Sequence, residues 1–134
     1  MIVLDTSVLS LAFRRQRQHR EASPQAAMLR KWIADDVPLA VPGIVLQELL
    51  SGVRNQSQFH ELQDAMAGFP VLLAKASHHV RAAEIVNMCR GEGIACSTVD
   101  ALIAALASEA GGRLFTVDAD FRRIAPQCGL RLVD

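Results

Sequence analysis

Lysine is scarce in this chain: Lys31 and Lys75 stand against twelve arginines. A phosphoacceptor receiver domain, which shares an early aspartate and a parallel sheet, needs a late lysine, and none is present. Tyrosine is absent and aromatics make up 4% of the residues. Trp32 and most phenylalanines fall in apolar patterns, so stacking of bases on aromatic side chains has little support. The three cysteines, Cys89, Cys96 and Cys128, show no C-x-x-C spacing, which argues against a thiolate metal site and for reduced thiols. His19, His60, His78 and His79 have no metal-ligand spacing and adjoin none of the acids discussed below, so histidine acid–base chemistry is not suggested. A G-x-S-x-G elbow and a glycine-rich phosphate loop are both missing. Net charge is zero, with 14 basic residues balancing 14 acidic ones. A global field therefore does not hold nucleic acid, although a local basic patch remains open. No apolar run reaches the roughly 18 residues of a membrane span. Met1-Ile2-Val3-Leu4 runs straight into Asp5, unlike a secretory signal. These absences point to the cytoplasm and away from membranes.

What is present is a chain of 134 residues, 51% of them hydrophobic. That is the size of a single domain over residues 1–134, able to bury roughly two-thirds of its unfolded surface. Short apolar runs alternate with helical patterns. Ile2-Val3-Leu4, Leu39-Ala40-Val41, Val71-Leu72-Leu73, Leu114-Phe115-Thr116-Val117 and Leu130-Arg131-Leu132-Val133 read as strands. Between them lie helical faces: Ala22, Ala26, Leu29 and Ile33; Leu46, Leu49, Leu50 and Val53; Ala82, Ile85, Val86 and Cys89; Val99, Leu102, Ile103 and Leu106. Ser97 opens the last of these and Gly111-Gly112 closes it. Phe121 and Ile124 mark one more helix. Alternation of this kind is the mark of an α/β domain with a mostly parallel sheet, whose ligands sit beyond the carboxyl ends of the strands.

Four acids occupy such positions. Asp5 follows the first run and Asp118 the fourth, Asp100 lies in the first turn of a helix, and Glu48 interrupts an apolar helix. Taken singly, each has an ordinary structural account. Asp5 suits an N-cap, Asp100 a capping box with Ser97, Asp118 a cap for the helix of Phe121, and Glu48 a solvated position. Taken together they suggest convergence. Crowded carboxylates repel one another and resist ionising, and a hard divalent cation relieves that repulsion while activating water against a phosphodiester.

The residues that carry this reading also carry a family resemblance. Ile2-Val3-Leu4-Asp5-Thr6-Ser7, the helix of Glu48, Val99-Asp100-Ala101-Leu102-Ile103-Ala104-Ala105 and Leu114-Phe115-Thr116-Val117-Asp118-Ala119-Asp120-Phe121 resemble, in order and spacing, the motifs of PIN domains. The small size is similar to VapC-type toxins of toxin–antitoxin pairs. The resemblance spans essentially the whole chain. It implies a three-layer α/β/α sandwich with a central, mostly parallel sheet of four or five strands. It implies an endoribonuclease dependent on Mg²⁺ or Mn²⁺, acting on RNA such as tRNA or rRNA, with a cognate antitoxin protein as partner and a homodimeric assembly. It assigns Asp5, Glu48, Asp100 and Asp118 to catalysis, with Asp5 and Asp100 as direct metal ligands. Thr6 and Thr116 match supporting hydroxyl positions. Asp120 competes with Asp118 for the place of the fourth acid, and Asp118 is preferred because it is nearer the strand end. The alternative is a catalytically silent module of the same fold that binds RNA or protein.

The densest basic run, Arg14-Arg15-Gln16-Arg17-Gln18-His19-Arg20, offers Arg14, Arg15 and Arg17 as phosphate contacts. A solvated loop or helix end accounts for it equally well.

Overall fold

The computed structural model describes residues 1–14 and 23–134, with Arg14 described through its backbone alone. Five short strands form one sheet: β1 (Ile2–Leu4), β2 (Leu39–Pro42), β3 (Val71–Leu72), β4 (Arg113–Phe115) and β5 (Arg131–Leu132). Their order is β3-β2-β1-β4-β5, and every pairing is parallel. The described residues also form α1 (Thr6–Leu9), which runs into a π-helical turn at Ser10–Arg14, then α2 (Pro24–Ala34), α3 (Gly43–Leu50), α4 (Gln56–Met66), α5 (Ala76–Gly91), α6 (Thr98–Glu109) and α7 (Asp120–Cys128).

Strand order dictates where the helices go. From β1 the chain steps outward to β2 and β3, then crosses back to β4 and on to β5. Parallel crossovers are right-handed. The outward steps therefore put α1–α4 on one face of the sheet, and the return steps put α5–α7 on the other. The packing agrees: α1 contacts α2 and α3, α3 contacts α4, and α5 contacts α6 and α7. The result is the three-layer α/β/α sandwich, with five strands at its centre. Between β1 and β4 the winding direction reverses, and such a reversal opens a crevice beyond the strand ends.

The core follows the apolar patterns. Val3 and Leu4 of β1, Leu114 of β4, Leu49 of α3, Ile85 of α5, and Phe121 and Ile124 of α7 are all fully buried. Each such side chain contributes roughly 1.5–3 kcal/mol of transfer free energy. Helix α6 is buried almost all round, with Ala101, Ile103, Ala104, Ala105, Leu106 and Ala107 inside. Its alanines let the sheet and α5 approach closely. Ser97 caps it as expected, its Oγ accepting the Asp100 N–H at 3.0 Å. Gly112 sits in a tight spot: a Cβ there would lie 3.0 Å from Val3 Cγ2 and 3.1 Å from the Met1 carbonyl oxygen, so the neighbours would have to give by a few tenths of an ångström.

Several local expectations shift. Helix α2 begins at Pro24, with Ser23 Oγ accepting the Ala26 N–H. Ala26 and Leu29 are buried, but Ile33 is 43% exposed, and Ala22 lies outside the described residues. Helix α3 ends at Leu50 rather than Val53, and buried Val45 joins Leu49 on its inner face. Helix α4 has no counterpart in the sequence reading. The outer strands β3 and β5 hold two residues each and are not buried throughout, as edge strands need not be. The three cysteines are free thiols. No helix among the described residues is long and apolar enough to cross a membrane.

Candidate active site

The site grows out of the register between β1 and β4. Leu4 is paired with Phe115, so Asp5 and Thr116 step off neighbouring strands side by side, and the Asp5 N–H donates to the Phe115 carbonyl at 3.1 Å. Asp5 is 4% exposed, the one buried charged side chain among the described residues. A buried carboxylate requires donors, and two hydroxyls supply them to the same oxygen. Thr116 Oγ1 donates to Asp5 Oδ2 at 2.7 Å and Ser7 Oγ donates to it at 2.8 Å. Each hydroxyl in turn accepts a backbone N–H, Ser7 from Val117 at 3.1 Å and Thr116 from Asp118 at 3.0 Å. Each hydroxyl has one proton. With both protons given to Asp5, the 3.2 Å separation of Ser7 Oγ and Thr116 Oγ1 is a contact of two acceptors. Asp5 occupies the N-cap position of α1 but makes no side-chain cap bond; its carboxylate is held by Ser7 of α1 and by Thr116 of the loop after β4.

Beside Asp5 lies a second group. Asp100 stands in the first turn of α6, Asp118 in the loop after β4, and Asp120 at the start of α7. Carboxylate oxygens of these three all lie within 4.8 Å of one another. Asp118 Oδ1 accepts the Asp120 N–H at 3.0 Å, and Asp120 Oδ1 accepts from Arg123 Nη2 at 2.7 Å. Burial pushes the Asp100 carboxyl above its ordinary value, and the charges of Asp118, Asp5 and Asp120 push it further, against a downward pull from its bond with Ser97. Asp5 is thus electrostatically part of the pocket although its oxygens lie outside the tight trio.

Glu48, on α3, is exposed and accepts a hydrogen bond from Thr6 Oγ1 at 2.8 Å. The structure therefore brings the sequence candidates into two subsets: Asp5 with Thr116, and Asp100 with both Asp118 and Asp120. Glu48 with Thr6 forms a separate pair. Asp118 and Asp120 are not alternatives in space, since both face Asp100. The side chain of Arg14 and all of Arg15 and Arg17 lie outside the described residues. Ser7 is a hydroxyl of this cluster to which the sequence alone assigns no place. Its signal is its place two residues after Asp5, where a first helical turn can fold its hydroxyl back onto the acid.

The donor set suits a hard divalent cation. Such ions take carboxylate oxygens, and three of these already lie closer together than mutual repulsion favours. Softer ions prefer sulfur or imidazole, and neither joins the trio.

A family model described as the PIN domain matches residues 2–126. No curated protein matches the sequence. Solved structures share its fold. The VapBC2 complex from Rickettsia felis, bound to a DNA fragment from its promoter, has a chain with TM-score 0.78 and 23% identity, covering 99% of this chain and 98% of that one. The FitAcB structure from Neisseria gonorrhoeae gives TM-score 0.75 and 19% identity, with 100% and 97% covered. Mycobacterium tuberculosis VapC20, described as a sarcin-ricin loop cleaving toxin, gives TM-score 0.66 and 18% identity, with 91% and 93% covered.

Proposed function

This chain belongs to the PIN domain family, and from that premise we propose that it is a metal-dependent endoribonuclease, the toxin of a toxin–antitoxin pair. The observation that carries the proposal is the carboxylate trio of Asp100, Asp118 and Asp120 at the winding reversal of the sheet, with buried Asp5 beside it. The structural likeness to VapC20 and to the VapBC2 and FitAcB proteins supports the toxin reading.

In this reading Asp100, Asp118 and Asp120 hold Mg²⁺ or Mn²⁺, and Asp5 serves as a further ligand. When bound, such an ion lowers the pKa of a coordinated water and neutralises charge developing on phosphoryl oxygens. The rest falls to the chain. Ser7 and Thr116 fix the Asp5 carboxylate in one orientation, because each hydroxyl is itself fixed by a backbone N–H. Ser97 fixes the turn that carries Asp100. Thr6 orients Glu48, whose exposed carboxylate serves to align the attacking water. Arg14, Arg15 and Arg17 contact substrate phosphates. The substrate is a single-stranded loop of a structured RNA such as tRNA or rRNA, the protein acts in the cytoplasm as a homodimer, and a cognate antitoxin blocks the acidic pocket.

The test is cleavage of a total-RNA preparation in Mg²⁺ against EDTA, with Asp100→Asn as the variant and circular dichroism to check its folding. Loss of about 10²–10³-fold in rate is expected for the variant. A folded Asp100→Asn protein that cleaves as fast as the parent, or a parent that neither cleaves RNA nor binds metal, overturns the proposal and leaves a silent module of the same fold.

A further inference from the structure

The acidic trio carries its own cation. Arg123, one turn along α7 from Asp120, places Nη2 at 2.7 Å from Asp120 Oδ1, with 64% of its side chain and 44% of that of Asp120 exposed. The spacing is i,i+3, so a regular helix presents both groups on one side. Asp120 is also one of the three acids whose oxygens lie within 4.8 Å of one another. One carboxylate therefore faces two cationic claims. Arginine cannot deprotonate and has no acceptor atoms, so away from Asp120 it must turn to another acceptor: an anion, a carbonyl oxygen or water. The high exposure of the pair makes that route short. An exposed ion pair is held weakly, whereas a divalent ion in a carboxylate cluster replaces the guanidinium at small cost. The planar guanidinium also matches two phosphate oxygens as well as it matches a carboxylate.

We infer that Arg123 is a resident counter-cation of the acidic trio: it competes with the divalent ion for Asp120 and, once displaced, turns its guanidinium to a phosphate of the bound nucleic acid. The inference rests on the metal-site reading given above and adds to it a residue that couples metal occupancy to substrate affinity. Arg123 thus opposes the metal at Asp120 but assists the nucleic acid at its phosphate. Removing Arg123 should therefore strengthen one interaction and weaken the other.

The test uses two probes on the full chain. Mn²⁺ alone is titrated calorimetrically into the parent, Arg123→Gln and Arg122→Gln. Arg122 is the exposed neighbour on α7 and serves as the control for simple loss of positive charge. Arg123→Gln should bind Mn²⁺ about threefold more tightly, the scale of an exposed pair, while Arg122→Gln stays within about 1.5-fold of the parent. Binding of a labelled single-stranded RNA oligonucleotide is then followed by fluorescence anisotropy, with Ca²⁺ in place of Mn²⁺. Arg123→Gln should bind it about fivefold more weakly, the loss of one charge-assisted phosphate contact. Unchanged Mn²⁺ affinity, an equal gain in Arg122→Gln, or undiminished oligonucleotide binding overturns the inference while the metal site stands. If neither parent nor Arg123→Gln binds Mn²⁺, the metal-site reading falls and takes the inference with it. Mn²⁺ binding seen in Arg123→Gln alone supports the competition in its strongest form.

Discussion

Two groups of carboxylates sit side by side at the carboxyl edge of this sheet, and they are treated in opposite ways. Asp5 is buried, and two hydroxyls, each anchored by a backbone N–H, donate to its Oδ2. Asp100, Asp118 and Asp120 are half-buried and crowd one another within 4.8 Å. In the first case the fold supplies hydrogen-bond donors in place of the water that was removed. In the second it supplies mainly more negative charge, and the Asp100 carboxyl, driven upward first by burial, is driven further by those charges. The contrast separates a carboxylate held in place by donors from carboxylates whose crowding a cation would relieve. A reader of sequence meets four aspartates in loosely similar settings; the fold divides them by what donates to each.

If that division is right, divalent cation should act on the trio with the largest effect on stability. At about 100 times its Kd, Mn²⁺ or Mg²⁺ is expected to raise the free energy of unfolding by about 2.7 kcal/mol, reversed by EDTA, in urea titrations. A melting curve indifferent to both ions would erase the distinction between the two groups. Next comes the support of Asp5. Thr116→Val leaves a buried carboxylate with one hydroxyl fewer and the Asp118 N–H without its acceptor, and should cost about 1–3 kcal/mol in urea unfolding. Thr6→Val, at the exposed bond to Glu48, should stay within about 0.5 kcal/mol. Equal costs at the two threonines would show that burial does not set the difference.

The smallest effect concerns the trio's own repulsion. A raised folded-state value means that the native protein holds the Asp100 proton more tightly than the unfolded chain does. The stability that this proton provides is complete below the ordinary value of 3.8 and is lost as pH rises through the raised value. Without metal, Asp100→Asn should therefore be more stable than the parent at pH 7, by a few tenths of a kcal/mol. The gain should shrink on acidification and vanish below pH 3.8. A gain that persists unchanged in acid would mean that charge at Asp100 is not its source.

Much of this arrangement is legible in the chain. The inner strands announce themselves because Ile2-Val3-Leu4 and Leu39-Ala40-Val41 are buried on both faces and so have no polar alternation to disguise them. Ser97 and the glycines after Glu109 mark the ends of α6 by cap chemistry alone. Helix α4 escapes notice because it lies over the surface: Gln56, Gln58, His60, Glu61, Gln63 and Asp64 dominate it, and its inward residues are Leu62 and Met66. Its cap, Asn55 accepting the Gln58 N–H, was the available clue. Within the site, the four acids and both threonines were visible as types at motif positions. Their grouping was not, because proximity between Asp100 and Asp120 depends on how α6 and α7 meet. Ser7 is illegible for a related reason: its hydroxyl is fixed by the Val117 N–H, which is brought to it only by strand pairing across 110 positions.

The bond between Thr116 and Asp5 spans 111 positions of the chain. During synthesis, at about 5–20 residues per second, Asp5 is made roughly 5–20 s before Thr116. For that interval the nascent protein has its first acid and no β4 to hold it. Asp100, Asp118 and Asp120 likewise come late in the order of translation. A product cut short just before Thr116 keeps Asp5 and Asp100 but lacks Asp118 and Asp120, two of the three acids of the trio. The order of the residues thus delays completion of the acidic pocket until synthesis is nearly complete.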